Sequence, residues 1–405
     1  MKSNNTQRII RKPNRGFATF FLLACVSLRA LAADGSFVHP GLLNTQKDYN
    51  RMRLMVARKA SPWIDAWNLL RTNRHDSAAW SPNPQSIVVR GSNGTNKQNY
   101  ASLYNDIAAA YADGLDWQIS GDKSAADRAV AILNAWSSTL TQITGTSDKY
   151  LASGIYGYEL ACAAEVIRKY PGWKPEDLKR FQKMMLQIFL PMNTAFLKDH
   201  NSAKIDHYWA NWDLSNIASM MAIGIFTDQR STYDAAMDYY LHGNGNGALQ
   251  HMVWKLYDGG LGQWQEAGRD QGHSTLGVGL AGAICQMAWN QGDDLFGADD
   301  NRFLKGAEYV AKYNLGSDVP YTVYTNSDVT QETISPIGRG PGRPIWELLY
   351  NHYVVLKRLS SPYITQCANK VRPEGGGGDY GPNSGGFDQL GYGTLTFTLA
   401  DPPKK

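Results

Sequence analysis

Apolar residues recur at helical spacing, at positions i, i+3 and i+4, along almost the whole chain from Leu43 onward. Glycine, asparagine and aspartate mark most junctions between these segments. One stretch breaks the pattern: residues 76–98 are rich in Ser, Asn, Gly and Pro and predict a long loop. The periodic segments predict helices at about 44–59, 62–70, 100–119, 123–140, 152–169, 174–199, 212–227, 230–242, 247–257, 274–291, 301–315, 343–358 and 361–369.

These helices follow one another as hairpins, one roughly every 45 to 55 residues, with no alternation of strands and helices. An α-solenoid would show clearer self-similarity between successive hairpins, and no sequence repeat stands out. We therefore expect an all-α fold, an α/α toroid built as an incomplete barrel of about six to seven helical hairpins. Residues 33–405 are expected to form this single domain.

The C-terminal end has a different pattern. It is rich in glycine from Gly375 to Gly386, and then threonine alternates with apolar residues from Thr394 to Leu399. Strict alternation favours a strand. We expect a short Gly-rich tail that closes the domain and carries a short β ribbon.

The N-terminus predicts a secretory signal peptide over residues 1–32. Basic residues precede an apolar run from Phe17 to Leu28 that is too short to span a bilayer, and Ala30-Leu31-Ala32 fits a cleavage site. A competing interpretation is lipid anchoring at Cys25, although leucine fits the second lipobox position poorly and the cleavage site follows. We expect a periplasmic or secreted protein, with no membrane association once the leader is removed.

Charge and composition narrow the function classes. The leader carries six basic and no acidic residues, so its removal changes the formal net charge from +4 to −2, and a nucleic-acid partner is not expected. The other three cysteines match no metal or disulfide pattern and predict small buried side chains: Cys162, Cys285 and Cys367. No HExxH pair, EF-hand loop or phosphate-binding glycine motif is present, so we expect no metal and no cofactor.

The densest polar stretch lies between Gly259 and Leu280. Nine different polar or aromatic positions precede an apolar, glycine-spaced helix, which is more than a connecting turn needs. Function concentrates on rigidly held loops, so this stretch predicts a site at the mouth of a buried helix, whereas the plainer alternative is a well-bonded turn. The nine positions are Gln263, Trp264, Gln265, Glu266, Arg269, Asp270, Gln271, His273 and Ser274.

Further polar clusters lie elsewhere in the chain. His207 to Asp213 precedes an apolar helix, for which Asn211 or Asp213 could be the N-cap. Arg339 and Arg343 lie in a Gly/Pro-rich loop and suit carboxylate binding, with salt bridges to nearby acids as an equal alternative. Tyrosines accompany these clusters at Tyr321, Tyr324, Tyr350 and Tyr380.

Four of these stretches together resemble the alginate-lyase superfamily of secreted polysaccharide lyases, closest to its branch acting on alginate or glucuronan. The resemblance covers nearly all of the chain after the leader, and its most specific part is the run Glu266 to His273. The four stretches are Asn211-Trp212-Asp213-Leu214, Gln265-Glu266-Ala267-Gly268-Arg269-Asp270-Gln271-Gly272-His273, Trp346-Glu347-Leu348-Leu349-Tyr350-Asn351-His352-Tyr353, and Arg372-Pro373-Glu374 followed by four glycines, Asp379 and Tyr380.

The resemblance implies an α/α toroid and β-elimination of uronate glycans by an Asn, a His, an Arg and a Tyr. Asn211 and His273 fit the first two, but His273 stands where better-known members carry the tyrosine. The acid must therefore come from a tyrosine elsewhere in the chain, and the candidates are Tyr321, Tyr324, Tyr350 and Tyr380. In such chemistry the uronate carboxylate is neutralised, a base removes the C5 proton and an acid protonates the departing O4.

We expect the partner to be an acidic polysaccharide and the protein to be a monomer. One alternative is an inverting glycoside hydrolase using Glu266 and Asp270, or either with Asp213. Another is a periplasmic glycan-binding protein without catalysis. For the lyase the expected catalytic residues are Asn211, His273, Tyr324 and Arg339, and the expected substrate-binding residues are Arg269, Glu266, Arg343, Trp212, Trp264, His207, Tyr321, Tyr350 and Tyr380.

Overall fold

A computed structural model describes residues 36–92, 94–378 and 387–399. The predicted leader with Cys25, and Tyr380, lie outside these residues. The α-helices are α1 Gln46–Ala57, α2 Trp63–Thr72, α3 Ala101–Ser120, α4 Lys123–Thr139, α5 Lys149–Leu151, α6 Gly157–Val166, α7 Pro175–Met184, α8 Leu190–Asp199, α9 Ala210–Phe226, α10 Arg230–His242, α11 Leu249–Met252, α12 Gln271–Asn290, α13 Ala298–Asn314, α14 Trp346–Leu349, α15 Pro362–Val371 and α16 Gly393–Phe397.

In the part of the chain that the structure describes, three π-helical segments extend or join these helices. Ala152–Tyr156 leads from α5 into α6, Met185–Phe189 joins α7 to α8, and Tyr350–Leu356 continues α14. A short 3-10 turn, His200–Ser202, follows α8.

The helices form two layers, and α3, α6, α9 and α12 pack side by side in that order as the inner layer. Each inner helix also packs on an outer one, as α3 does on α4, α9 on α10 and α12 on α13. Every residue of α6 and α9 is buried, as expected for helices covered on all sides. The arrangement confirms the predicted all-α toroid.

The inner helices run parallel. Tyr100 and Tyr104, at the start of α3, lie beside Tyr156 at the start of α6, whereas Gln118 near the end of α3 donates to the Val166 carbonyl at the end of α6. Close contacts of Gly154 and Gly157 with the Ser215 and Ser219 side chains show the same direction for α6 and α9. The N-termini of the inner helices therefore meet at one end of the ring.

The C-terminal segment closes the ring. Helix α16 contacts α14 of the last hairpin and both helices of the first, and the Asn44 amide donates to the Thr396 carbonyl at 3.2 Å. The β ribbon predicted over 394–399 is wrong. The Thr396 and Thr398 hydroxyls donate to carbonyls four residues earlier, at 3.0 and 2.6 Å, and Thr394 to Thr396 are all buried instead of alternating between two faces.

Among the described residues, three small two-stranded sheets lie between the helices. Strands β1 (Ile87–Arg90) and β2 (Gln142–Gly145) are parallel, and β3 (Val253–Tyr257) and β4 (Leu261–Trp264) are antiparallel, as are β5 (Tyr324–Thr325) and β6 (Thr330–Gln331). The helix predicted at 247–257 is correct only for α11. Beyond it, β-favouring residues lead to a turn at Gly259 and Gly260, whose φ values of 82° and 79° suit glycine.

Cys162, Cys285 and Cys367 are buried and free, as the apolar surroundings predicted. Within the described ranges, no helix is long and apolar enough to cross a membrane.

Candidate active site

The candidate site lies where the N-termini of the neighbouring inner helices α9 and α12 meet. The chain leaves β4 at Trp264 and reaches α12 through a turn, and two side chains of that turn cap α9. The Ala210 N–H donates to Gln265 Oε1 at 3.1 Å, and the Asn211 N–H donates to Glu266 Oε2 at 3.2 Å. The first turn of a helix has no internal acceptors for its N–H groups, so these contacts fix the turn onto α9.

Glu266 is the centre of the cluster. Its Oε1 accepts from the Asn211 side-chain amide at 2.6 Å and from Arg269 Nη1 at 2.9 Å, and the residue is fully buried. Burial raises the pKa of Glu266, an effect that the charge of Arg269 partly offsets. The carboxylate thus holds Asn211 and Arg269 in fixed positions, and Asn211 Oδ1 is left buried without a hydrogen-bond partner.

His273 lies on the first turn of α12, between Asp270 and Arg269. Its Nδ1 is 2.6 Å from Asp270 Oδ2, and its Nε2 is 3.1 Å from Arg269 Nη2. Burial alone would raise the pKa of Asp270, but hydrogen bonds from His273 outweigh it and lower that pKa, so Asp270 is a carboxylate. A carboxylate only accepts and a guanidinium only donates, so the ring proton lies on Nδ1 and the lone pair on Nε2. The imidazole is 41% exposed and can meet a ligand.

Trp209 is the tryptophan beside this cluster. The Arg269 guanidinium lies 5.1 Å from its ring centre, and the indole is only partly buried. Trp212 and Trp264 were expected to bind sugar rings, but they are 8% and 0% exposed. Trp212 packs between Phe196 and Tyr208, so neither indole offers a free face to a substrate.

Tyr324 is linked to the cluster through Gln265, whose amide donates to the phenol oxygen at 2.8 Å. Its hydroxyl also donates to Asn246 Oδ1 at 3.4 Å. Burial raises the pKa of Tyr324, and the bond from Gln265 lowers it in part. Tyr321 lies close to Gly268 of the turn, donates to the Gln331 carbonyl at 2.9 Å, and has a pKa raised to about 12 by burial.

Both predicted arginines of the Gly/Pro-rich loop have structural partners. Arg339, expected as a catalytic residue, donates to the carbonyls of Tyr313 at 2.5 Å and Ser317 at 3.1 Å, so its guanidinium ties the loop to the C-terminal end of α13. Arg343 is buried and pairs with Asp388 at 2.5 Å, which is the salt-bridge alternative. It also donates to the Gly272 carbonyl at 3.0 Å, next to His273, and so supports the start of α12.

Two other predicted residues lie apart from the cluster. His207 is exposed and pairs with Asp328 at 2.7 Å, where the loop before α9 contacts the β5–β6 turn. Tyr350 begins the π-helical segment after α14, and the Arg372 guanidinium lies 5.4 Å from its ring centre.

Arg90 is a further cation at this end of the ring. It ends β1, and its guanidinium lies 5.1 Å from the ring centre of Tyr100 and 5.6 Å from that of Tyr156, at the starts of α3 and α6. The guanidinium donates to the Tyr156 hydroxyl at 3.3 Å. The sequence showed Arg90 only as one cation in a long loop, and no local signal marked its position.

In the part of the chain that the structure describes, no group of three or more His, Cys, Asp or Glu side chains could hold a metal ion.

Comparisons with known proteins agree with this architecture. The family model described as "Alginate lyase" matches residues 55–319, and no curated protein matches the chain. Alginate lyase A1-III from Sphingomonas species A1 is similar over 89% of this chain and 98% of its own, with a TM-score of 0.57 and 12% identity. A variant of alginate lyase A1-III complexed with a tetrasaccharide is similar over 89% of this chain and 96% of its own, with a TM-score of 0.60 and 12% identity. An alginate lyase from Bacteroides ovatus is similar over 87% of this chain and 100% of its own, with a TM-score of 0.56 and 14% identity. At these identities the solved structures show a shared fold.

Proposed function

The chain belongs to the alginate lyase family, and from that premise we propose that this polysaccharide lyase cleaves β-1,4-linked uronate glycans, alginate or glucuronan, by β-elimination without a metal. The family match confirms the resemblance of the sequence. The observation that carries the proposed substrate and mechanism is one hydrogen-bonded chain of side chains at the N-terminal end of two inner helices, Asn211–Glu266–Arg269–His273–Asp270.

The first requirement of elimination is to stabilise negative charge on the uronate carboxylate. Arg269 is half-buried, and its guanidinium faces the same side as the His273 ring. The Asn211 amide, fixed by Glu266, supplies a neutral donor beside it. Donors held in place before the reaction stabilise developing charge without reorganisation. Arg269 and Asn211 would therefore bind the carboxylate next to the reacting C5.

The second requirement is a base. In the free protein, Arg269 donates to His273 Nε2 and so holds that nitrogen unprotonated. A bound uronate carboxylate would compete for the Arg269 Nη2 group, while Nη1 stays on Glu266, and the Nε2 lone pair would become free. His273 Nε2 then takes the C5 proton, and Asp270 stabilises the imidazolium that forms.

The third requirement is an acid for O4. As the C5–H electrons form the C4–C5 double bond, the C4–O4 bond breaks and O4 needs a proton. Tyr324 is the phenol tied to the cluster through Gln265, so we assign it this step. The leaving chain then carries a new hydroxyl, and the other product ends in an unsaturated uronate.

Further residues suit the neighbouring sugars. Trp209 has a partly exposed ring beside Arg269, and Arg90 places a second cation at the same end of the ring, between two tyrosine rings. A carboxylate of the chain bound at Arg90 would set the polymer across the N-terminal end of the toroid. The apparent signal peptide supports a periplasmic or secreted location, and we take the protein to act as a monomer.

The structure gives little support to the hydrolase alternative. Glu266 is fully buried with three donors on its carboxylate, and Asp213 is buried and pairs with His200 at 2.9 Å. An inverting hydrolase needs one carboxylate to reach the glycosidic oxygen and another to activate water. Both carboxylates are thus already bound by groups of the protein, and neither is placed to act as the acid or the base of a hydrolase.

The test is a screen of polymannuronate, polyguluronate, glucuronan and hyaluronan for the ultraviolet absorbance of unsaturated products. We expect absorbance with at least one of the first three polymers, and a loss of orders of magnitude in turnover for Asn211→Ala and for His273→Ala, each with its fold retained by circular dichroism. Wild-type rates at saturating substrate in either variant would remove that residue from the mechanism. Binding without any product would favour the glycan-binding alternative.

A further inference from the structure

Asp270 makes two different contacts with one residue. Its Oδ1 accepts from the His273 backbone N–H at 2.7 Å, which makes it the N-cap of α12, and its Oδ2 accepts from the His273 ring at 2.6 Å. Its side chain is 19% exposed, so both contacts are partly shielded from water. A cap alone would need only one of these oxygens.

We infer that Asp270 is a positioning residue, which holds the His273 ring in the tautomer with its proton on Nδ1 and so directs the Nε2 lone pair to the site. The inference rests on the proposed role of His273 as the base. Asp270 itself touches no substrate. It acts through the ring, and the helix cap ties its own position to the backbone of α12.

The carboxylate is needed because two hydrogen-bond donors of His273 face it, and Arg269 Nε also lies 3.7 Å from Oδ2. The backbone N–H of His273 is always a hydrogen-bond donor. The neutral imidazole can move its proton from one nitrogen to the other, so its Nδ1 can be either a donor or an acceptor. A side chain with a single acceptor would therefore satisfy the backbone first, and the ring would adapt. This gives the Asp270→Asn and Asp270→Ser variants different expected outcomes, although both residues are good N-caps.

In Asp270→Asn the side-chain oxygen would keep the cap, so the NH2 group would face Nδ1 and donate to it. The ring proton would then move to Nε2, where it opposes the Arg269 guanidinium and blocks proton abstraction. A wrong tautomer of this kind lowers turnover by about 10⁴-fold in a comparable Asp–His pair. In Asp270→Ser the cap remains and no group faces Nδ1, so the ring is left unconstrained and we expect a loss of about 10- to 100-fold.

The experiment combines kinetics with ¹⁵N NMR of the histidine rings in the full-length protein, with His273→Gln used to assign the His273 signals among the 8 histidines. At a pH where the ring is neutral, we expect the proton on Nδ1 in the wild type, on Nε2 in Asp270→Asn and on both in Asp270→Ser. The expected order of kcat/KM is wild type, then Asp270→Ser, then Asp270→Asn, which inverts the order of chemical similarity to aspartate.

A purely capping role predicts something else, namely that both variants keep the wild-type tautomer and similar kcat/KM values. Either that result, or a proton that stays on Nδ1 in Asp270→Asn, would overturn the inference. The NMR measurement needs no turnover. If the wild type cleaves none of the uronate polymers, the proposed function fails, while the tautomers of the three proteins still decide the role of Asp270.

Discussion

Replacing Glu266 with glutamine tests whether this carboxylate organises the site. The glutamine has the same shape but one acceptor in place of two. If the glutamine oxygen takes the position of Oε1, it still accepts hydrogen bonds from the Asn211 and Arg269 side chains, but these bonds are no longer made to a charged group. The glutamine NH2 group then faces the Asn211 backbone N–H. One donor then opposes another in a fully buried position.

The magnitude follows from these contacts. Weakening the charge-assisted bonds and leaving a buried N–H unpaired each cost about 1–3 kcal/mol, so we expect Glu266→Gln to lower the free energy of unfolding by about 3–5 kcal/mol. Arg269 and Asn211 would also lose their anchor. Because removal of one preorganised donor typically costs about 10²- to 10³-fold in rate, we expect a loss of at least that size in kcat/KM.

The assay is urea unfolding together with the ultraviolet rate on the preferred polymer, and the matched control is Glu308→Gln. Glu308 is also a buried capping glutamate, which accepts the N–H groups of Tyr363 at 3.3 Å and Ile364 at 2.8 Å at the start of α15. Burial raises its pKa to about 7. Its glutamine also turns an NH2 group toward one backbone N–H but breaks no contact with a charged side chain, so we expect a smaller cost of about 1–3 kcal/mol with unchanged kcat/KM.

Two results would refute this reasoning. Wild-type stability and rate in Glu266→Gln would show that Glu266 carries a proton and anchors nothing by its charge. An equal loss of rate in Glu308→Gln would show that activity follows general stability and not the cluster.

Two further predictions concern residues outside this cluster. Arg90→Lys keeps the charge but loses the planar group between Tyr100 and Tyr156, so we expect KM to rise about tenfold with kcat largely kept, and an unchanged KM would remove Arg90 from substrate binding. Burial, followed by the nearby charge of Glu347, raises the pKa of Glu374 to about 8, so its contribution to stability is present in acid and is lost as the pH rises through about 8. When the pH is raised from about 6 to about 9, the melting temperature should therefore fall less in Glu374→Gln than in the wild type. An equal fall in both proteins would contradict this.

The fold was largely predictable because its signal is local. Inner helices such as α9 are apolar on all sides and outer helices are amphipathic, so the two layers are visible in the periodicity. The hairpin β3–β4 was missed because Val253 to Tyr257 continues an apolar pattern that fits either helix or strand. The glycines at 259 and 260 were the signal that could have separated them.

The site was predictable only in part. Asn211 and His273 stand at helix starts in dense polar runs, and the structure joins them through Glu266 and Arg269. The roles of Trp264 and Arg343 depend on partners distant in the chain, such as Gly277 against the indole and Asp388 against the guanidinium. A side chain's partner in a fold of parallel helices is set by packing, which local sequence does not encode.

The most direct test of β-elimination is a digest in water labelled with heavy oxygen, followed by mass spectrometry of the new chain ends. Elimination breaks the C4–O4 bond without adding water, so we predict unsaturated, ultraviolet-absorbing ends that carry no label. Saturated non-reducing ends, together with heavy oxygen that enters C1 of the new reducing ends faster than it exchanges into a reference oligosaccharide, would show hydrolysis and would contradict the account.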